Sequence, residues 1–350
     1  MLDEIREQPL TLERTLKAEL RPMEAFKRLL EKKRPRLIVL AARGTSDNAA
    51  RFGRYLFSIT TGIPVTLAAP SIFTLYNANI DLRDTLVVAI SQSGESTDIN
   101  VVIERAREMG AVTAGITNEA SSALANLTDH TLLVRAGREK SVAATKTYTG
   151  QLMLMYLLAY ALGAPIPVDE LRRLPDLAAL GLKAESKIAE CAERYRFMDH
   201  AVVISRGLNY ANCFEFSLKL METCYIVAER FSAADLLHGP IAMVGRSFPA
   251  FLFAPSGATW PGIKEVLSRL DQVKAESLLI TDRSNREATS GKWNRIVIPG
   301  KLKGRGPHPE ELYTPIPYII PAQLFAAALA ETKGIDADHP RTLSKVTRTM

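Results

Sequence analysis

The chain has 350 residues, 47% hydrophobic and 23% charged, the make-up of a soluble globular protein with room for about two domains. Its net charge of +6 suits an anionic ligand, but the basic residues are scattered, and the absence of zinc-finger spacing and of RNA-binding aromatic motifs argues against nucleic acid. Three cysteines without CxxC spacing, a charged N-terminus without an apolar signal core, and a longest apolar stretch of only Leu152 to Leu162 predict a cytoplasmic protein with no disulfide framework and no membrane span.

Residues 1–33 alternate charge with Leu at helical spacing and predict one or two amphipathic helices. Arg36 to Ala42 reads as a buried strand ending at Arg43-Gly44-Thr45-Ser46, with a helix from Asp47 to Ser58 behind it. Ile63 to Ala68 is a second strand and Asp84 to Ile90 a third, followed by a helix over 95–109. Val112 to Ile116 and Thr131 to Val134 complete five strands, and a helix from Lys146 to Leu162 closes this half. Gly163 to Arg194 begins with Gly and Pro, turns Leu- and Ala-rich, and reads as a helical linker.

The pattern then restarts. Ala201 to Gly207 resembles Ile38 to Gly44, with Arg-Gly at the strand end both times. A long helix over 211–230, strands at Phe248–Ala254, Ser277–Thr281 and Ile296–Pro299, and helices near 261–274 and 321–333 follow. Strands alternating with helices imply an α/β fold, and the restart implies a duplication: two doubly wound parallel sheets, each flanked by helices. The expected layout is 1–33 helical segment, 34–165 first domain, 166–195 linker, 196–335 second domain and 336–350 tail.

Two stretches carry chemistry. Ser91-Gln92-Ser93-Gly94-Glu95-Ser96-Thr97 is a strand-to-helix turn with four hydroxyls and an amide around one glycine. A helix start leaves backbone N–H groups open and is electropositive, so it favours an anion. One cap needs one hydroxyl, not four, and no GxxxxGK[ST] pattern is present, so the turn reads as a phosphate cup for a small monoester rather than a nucleotide P-loop. Ser46 lies at the end of another strand and can share its crevice. On the 211–230 helix, Glu215, Lys219 and Glu222 make a charged stripe between two apolar faces. Such a stripe is either a structural ion pair or a carboxylate base beside a positive charge in a cleft. His238 sits in a turn fixed by Gly239-Pro240, and Lys345 in a short polar tail reads, on its own, as a solvated lysine.

Gly44-Thr45-Ser46, Ser91 to Ser96, Val142-Ala143-Ala144-Thr145-Lys146, Lys219-Leu220-Met221-Glu222, His238-Gly239-Pro240 and Pro340 to Lys345 occur in that order and together resemble the sugar isomerase (SIS) domain family over nearly the whole chain. The likeness is to the isomerase half of glutamine–fructose-6-phosphate amidotransferases and to SIS-type glucosamine-6-phosphate deaminases. It implies that Ser46, Ser91, Gln92, Ser93 and Ser96 hold the sugar phosphate and nearby hydroxyls, that Val142 and Ala144 line the sugar, and that Ser344 belongs to the same substrate-binding set. Glu222 would move a proton between C1 and C2, His238 would assist ring opening from the neighbouring subunit of a homodimer, Lys219 would stabilise charge, and Lys345 could form a Schiff base with the open-chain ketose. Neither cofactor nor metal is implied.

The chain departs from the amidotransferase pattern at Ala144, where that pattern has Ser, at Ser96, where it has Thr, and after Lys345. No glutaminase sequence precedes Met1. The expected reaction is therefore glucosamine 6-phosphate plus water to fructose 6-phosphate plus ammonia. The alternatives are a synthase-like aminotransferase and isomerase, a deglycase on another sugar phosphate, and a non-catalytic sugar-phosphate sensor. A sensor needs only the phosphate cup, and the joint presence of Glu222, His238 and Lys345 speaks against it.

Overall fold

A computed structural model describes residues 1–304 and 309–345. The chain divides into two compact units, one comprising Leu10–Glu139, Lys146–Arg172 and Ser344–Met350, the other Met1–Pro9, Lys140–Thr145 and Arg173–Leu343. The part of the expected tail beyond Lys345 lies outside the described residues.

The first unit is built on strands β1 (Leu37–Ala42), β2 (Val65–Leu67), β3 (Thr85–Ile90), β4 (Val112–Thr117) and β5 (His130–Leu133), paired in parallel in the order β2-β1-β3-β4-β5. Its central strands are continuous apolar runs because helices cover both faces. Val39, Ala41, Val87 and Ala89 pack with Ile99, Val102 and Ile103 of the helix Thr97–Glu108. Ala42 pairs with Ile90, so β1 and β3 end side by side. The strand order reverses between these two strands. Helices leave the sheet in opposite directions there and open a crevice at the carboxyl ends. The helix Gln8–Lys32 lies mostly in this unit, anchored by Thr15 Oγ1 on the Val134 carbonyl and by Arg135 Nε on Glu19 at 2.8 Å.

The second unit is built on β6 (His200–Ser205), β7 (Val227–Ser232), β8 (Pro249–Phe253), β9 (Glu276–Asp282) and β10 (Asn294–Ile298), also parallel, in the order β10-β9-β8-β6-β7. Counted from its own first strand, this is the order of the first sheet, which establishes the duplication. Three expectations need correction. The helix expected over 211–230 spans Tyr210–Cys224, and β7 follows after two residues. Tyr225 caps the helix in the left-handed region (φ 56°), a position usually held by glycine, so nothing in the composition signalled the stop. The expected linker, from Arg173 onward, is instead part of this unit. Its helices Leu174–Leu182 and Glu185–Arg194 bury Leu174, Ala178, Ile188 and Ala192 and pack on the helix Pro315–Thr332. That last helix begins before the expected 321, because Pro315 and Pro317 stand in its first turn, where no N–H acceptor is needed.

Among the described residues, no helix is long and apolar enough to cross a membrane. No group of three or more His, Cys, Asp or Glu among them could hold a metal ion.

Candidate active site

In the first unit the crevice between β1 and β3 is lined by the expected serines. Ser91 directly follows β3 and is buried, and its Oγ accepts the Gly94 N–H at 3.1 Å. Ser93 Oγ accepts the Glu95 N–H at 3.3 Å. Both hydroxyls thus use a lone pair locally and keep their hydrogens for a ligand. Gly94 has φ 67°, and a Cβ there would lie 2.2 Å from Ser122 Oγ, so only glycine closes this turn. No side chain caps the helix Thr97–Glu108, which leaves its first N–H groups facing the turn. Ser96, although at the cap position, donates its hydroxyl to Asp98 at 3.0 Å; its hydrogen is committed there. Gln92 holds the turn through its carbonyl, which accepts the Asn118 N–H at 3.0 Å, and its side chain is half-buried.

The crevice's other wall is equally built. Gly44 (φ 55°) starts the helix Gly44–Thr61, and the buried Ser46 on its first turn accepts Gln151 Nε2 at 3.0 Å. Arg43 Nε meets the buried Asp98 at 2.7 Å and so ties the end of β1 to the helix after β3. Lys345 reaches Glu139 Oε2 at 2.8 Å. Glu139 is fully buried and also accepts Thr147 N–H at 3.1 Å and Thr147 Oγ1 at 2.7 Å. Lys345 is therefore an anchored group, not the solvated lysine its tail composition suggests, while Ser344 beside it is exposed. The sequence reading missed Asp98, Glu139 and Gln151. Gln151 had a signal, a lone amide at the head of the apolar run. Glu139 had none, since Arg138-Glu139-Lys140 looks like a solvated charge run.

The second unit carries the charged stripe expected from the sequence. Lys219 Nζ sits 2.6 Å from Glu222 Oε2 and 3.5 Å from Glu215 Oε1. Lys219 and Glu215 are fully buried, whereas 24% of the Glu222 side chain is exposed. The stripe is thus both an ion pair and a reachable carboxylate: Glu215 balances Lys219 from inside, and Glu222 meets solvent. Val142 and Ala144 are half-buried, and the Val142 N–H donates to the Asp338 carbonyl at 3.2 Å. His238 ends the short helix Ala233–Leu237 with its ring exposed, and no hydrogen bond joins that ring to the trio among the described residues.

The chain belongs to the SIS domain family, whose sequence profile matches residues 29–161 and 196–301. It is 34% identical over 351 residues to a glutamine–fructose-6-phosphate aminotransferase (isomerizing) of Pyrococcus horikoshii, covering 99% of this chain and 57% of that protein. Identity to the corresponding aminotransferase of Aquifex aeolicus is likewise 34%, with the same two coverages, 99% and 57%. The chain thus spans a little over half the length of the curated relatives it matches. The C-terminal domain of glucosamine-fructose-6-phosphate aminotransferase from Francisella tularensis superposes with a TM-score of 0.87 at 27% identity, covering 97% of this chain and 98% of that one. A glucosamine-6-phosphate deaminase from Thermotoga maritima, at 20% identity and a TM-score of 0.71 over 97% of this chain and 100% of that one, shares the fold alone. These relatives favour the aminotransferase and isomerase alternative over the deamination expected from the sequence.

Proposed function

We propose that this chain isomerises a hexose 6-phosphate between ketose and aldose, with an amine installed at C2, as in the formation of glucosamine 6-phosphate from fructose 6-phosphate. The observation that carries the reading is the partly exposed Glu222 carboxylate held 2.6 Å from a fully buried lysine. Aldose–ketose tautomerism needs one base that takes a proton from C1 and returns it to C2, and Glu222 fits that task. Lys219 would balance the charge that develops as the proton moves, in a site too dry to solvate it. In the first unit, the Ser91 and Ser93 hydroxyls and the open helix start would bind the phosphate. Lys345 would engage the open-chain ketose at C2 and be displaced by the amine, and His238 would assist ring opening. The relatives named above support this class of reaction over deamination.

The test supplies fructose 6-phosphate with ammonium in deuterated water and follows products by mass spectrometry. Glucosamine 6-phosphate or glucose 6-phosphate carrying solvent deuterium at C2 is expected. If neither forms and the ketose exchanges no C1 hydrogen, the chain is a sugar-phosphate binder and the proposal fails.

A further inference from the structure

The duplication gives the second unit a crevice of its own, between the carboxyl ends of β6 and β8, which none of the roles above uses. Its parts match those of the first. Arg206-Gly207 follows β6 as Arg43-Gly44 follows β1, with Gly207 at φ 64° and Gly44 at φ 55°. Ser256-Gly257 lies in the turn after β8 as Ser93-Gly94 lies in the turn after β3, with Gly257 at φ 114° and Gly94 at φ 67°. A buried glutamate stands between the last strand and the long helix in both units: Glu139 in the first, Glu311 in the second.

What differs is that the partners are gone. Asp98, which pairs with Arg43, precedes the buried Ile99; Gly262 precedes the buried Ile263 at the matching place. The Arg206 guanidinium lies over it, its Nη1 3.2 Å from where a Gly262 Cβ would be, and it has no acceptor among the described residues. Lys345 neutralises Glu139, whereas Glu311, 3% exposed, has its Oε2 buried without a hydrogen-bond partner among the described residues. That oxygen lies against the turn, 2.1 Å from where a Gly257 Cβ would be. Thr259 Oγ1 is also buried and unpartnered, beside Gly207. A free guanidinium calls for an anion, and a dry carboxylate oxygen calls for a donor. No simple anion supplies both.

We propose that this crevice is a second ligand site, for a small polyhydroxylated phosphomonoester of the sugar-phosphate class. Its phosphate would pair with Arg206 at the start of the helix Trp260–Gln272, and a ligand hydroxyl would donate to Glu311 Oε2. The proposal is independent of the catalytic reading. Calorimetric titration of the full chain with fructose 6-phosphate tests it. Two equivalents per chain are expected; Arg206→Ala, at an exposed position that leaves the fold intact, should weaken one of them at least tenfold, and so should Glu311→Gln. In the Ser91→Ala/Ser93→Ala chain the Arg206-dependent equivalent should persist. The absence of any Arg206-dependent equivalent, seen as an unchanged titration in Arg206→Ala, overturns the proposal. So does inorganic phosphate binding at Arg206 as tightly as the sugar phosphate, since Glu311 would then have no part.

Discussion

At the scale of single residues, Lys219 is the pivot. It is buried between two carboxylates on one helix, at i, i+4 and i, i+3 spacing. Removing it leaves Glu215 charged in the dry interior, and breaking a buried pair this way costs about 3–5 kcal/mol. Lys219→Met should therefore lower Tm sharply before any catalytic question arises; an unchanged melting curve would show that Glu215 is neutral or solvated. Glu222→Gln is the contrasting case, because its side chain reaches solvent and its shape is kept. The fold should survive while turnover falls by about 10²–10⁴, the usual contribution of a general base. Solvent-deuterium incorporation at the unaltered rate in this variant would assign the proton transfer to another group. His130 offers a pH test. It stacks on Phe26 with ring centroids 4.2 Å apart, and burial holds its imidazole below the ordinary range. The unfolded chain then takes the proton first, so this contribution is fully present above pH ~6.5 and is lost as pH falls toward the folded value. His130→Phe should flatten the decline of Tm as pH falls below about 6.5, the ordinary histidine value. Parallel declines in the two proteins would remove His130 from the account.

At the scale of elements, the turn after β3 joins sequence to chemistry most directly. A continuous apolar strand must stop, reverse the chain and start a helix within a few residues, and Gly94 makes this possible at φ 67°. Gly94→Ala would force a side chain into the left-handed region and into Ser122 Oγ, a strain of order 1–3 kcal/mol. The turn would shift, and with it both serine hydroxyls. KM for the sugar phosphate should rise while the far-UV spectrum stays native; an unaltered KM would mean that the turn does not bind the phosphate.

At the scale of the whole molecule, we propose a homodimer in which His238 serves the neighbouring subunit's site. The ring is exposed and forms no hydrogen bond to the Lys219 trio among the described residues of its own chain. Of the apolar residues Ile226, Val227 and Phe231, which precede it in the sequence, Val227 is 65% exposed, whereas Ile226 is buried and Phe231 packs into the core of its own unit. Of these three, only Val227 is free to contribute apolar surface to such an interface. Mixing inactive Glu222→Gln and His238→Ala chains should restore measurable activity, since one class of hybrid site is intact. No recovery after subunit exchange would confine His238 to its own chain.

Much of the architecture was legible because β1, β3 and β6 are largely apolar runs that end at Arg-Gly or at a serine-rich turn. Buried parallel strands leave that mark whatever surrounds them. The serine-rich turn after β3 was legible for a related reason: a helix start, a glycine and several hydroxyls are contiguous, so their geometry is local. What the chain order could not express was decided by packing. The helix stop at Tyr225 hides in a non-glycine left-handed residue, and the segment expected to link two domains became part of one because Leu174, Ala178, Ile188 and Ala192 found the helix Pro315–Thr332. Glu139 and Lys345 stand 206 positions apart, and Arg43 and Asp98 stand 55 apart. Composition therefore read Lys345 as solvated and did not single out Glu139 or Asp98, and only the tertiary fold could bring these charges together. Periodicity reports which face of an element is dry, but the partner that makes a buried charge affordable is chosen by contacts distant in sequence.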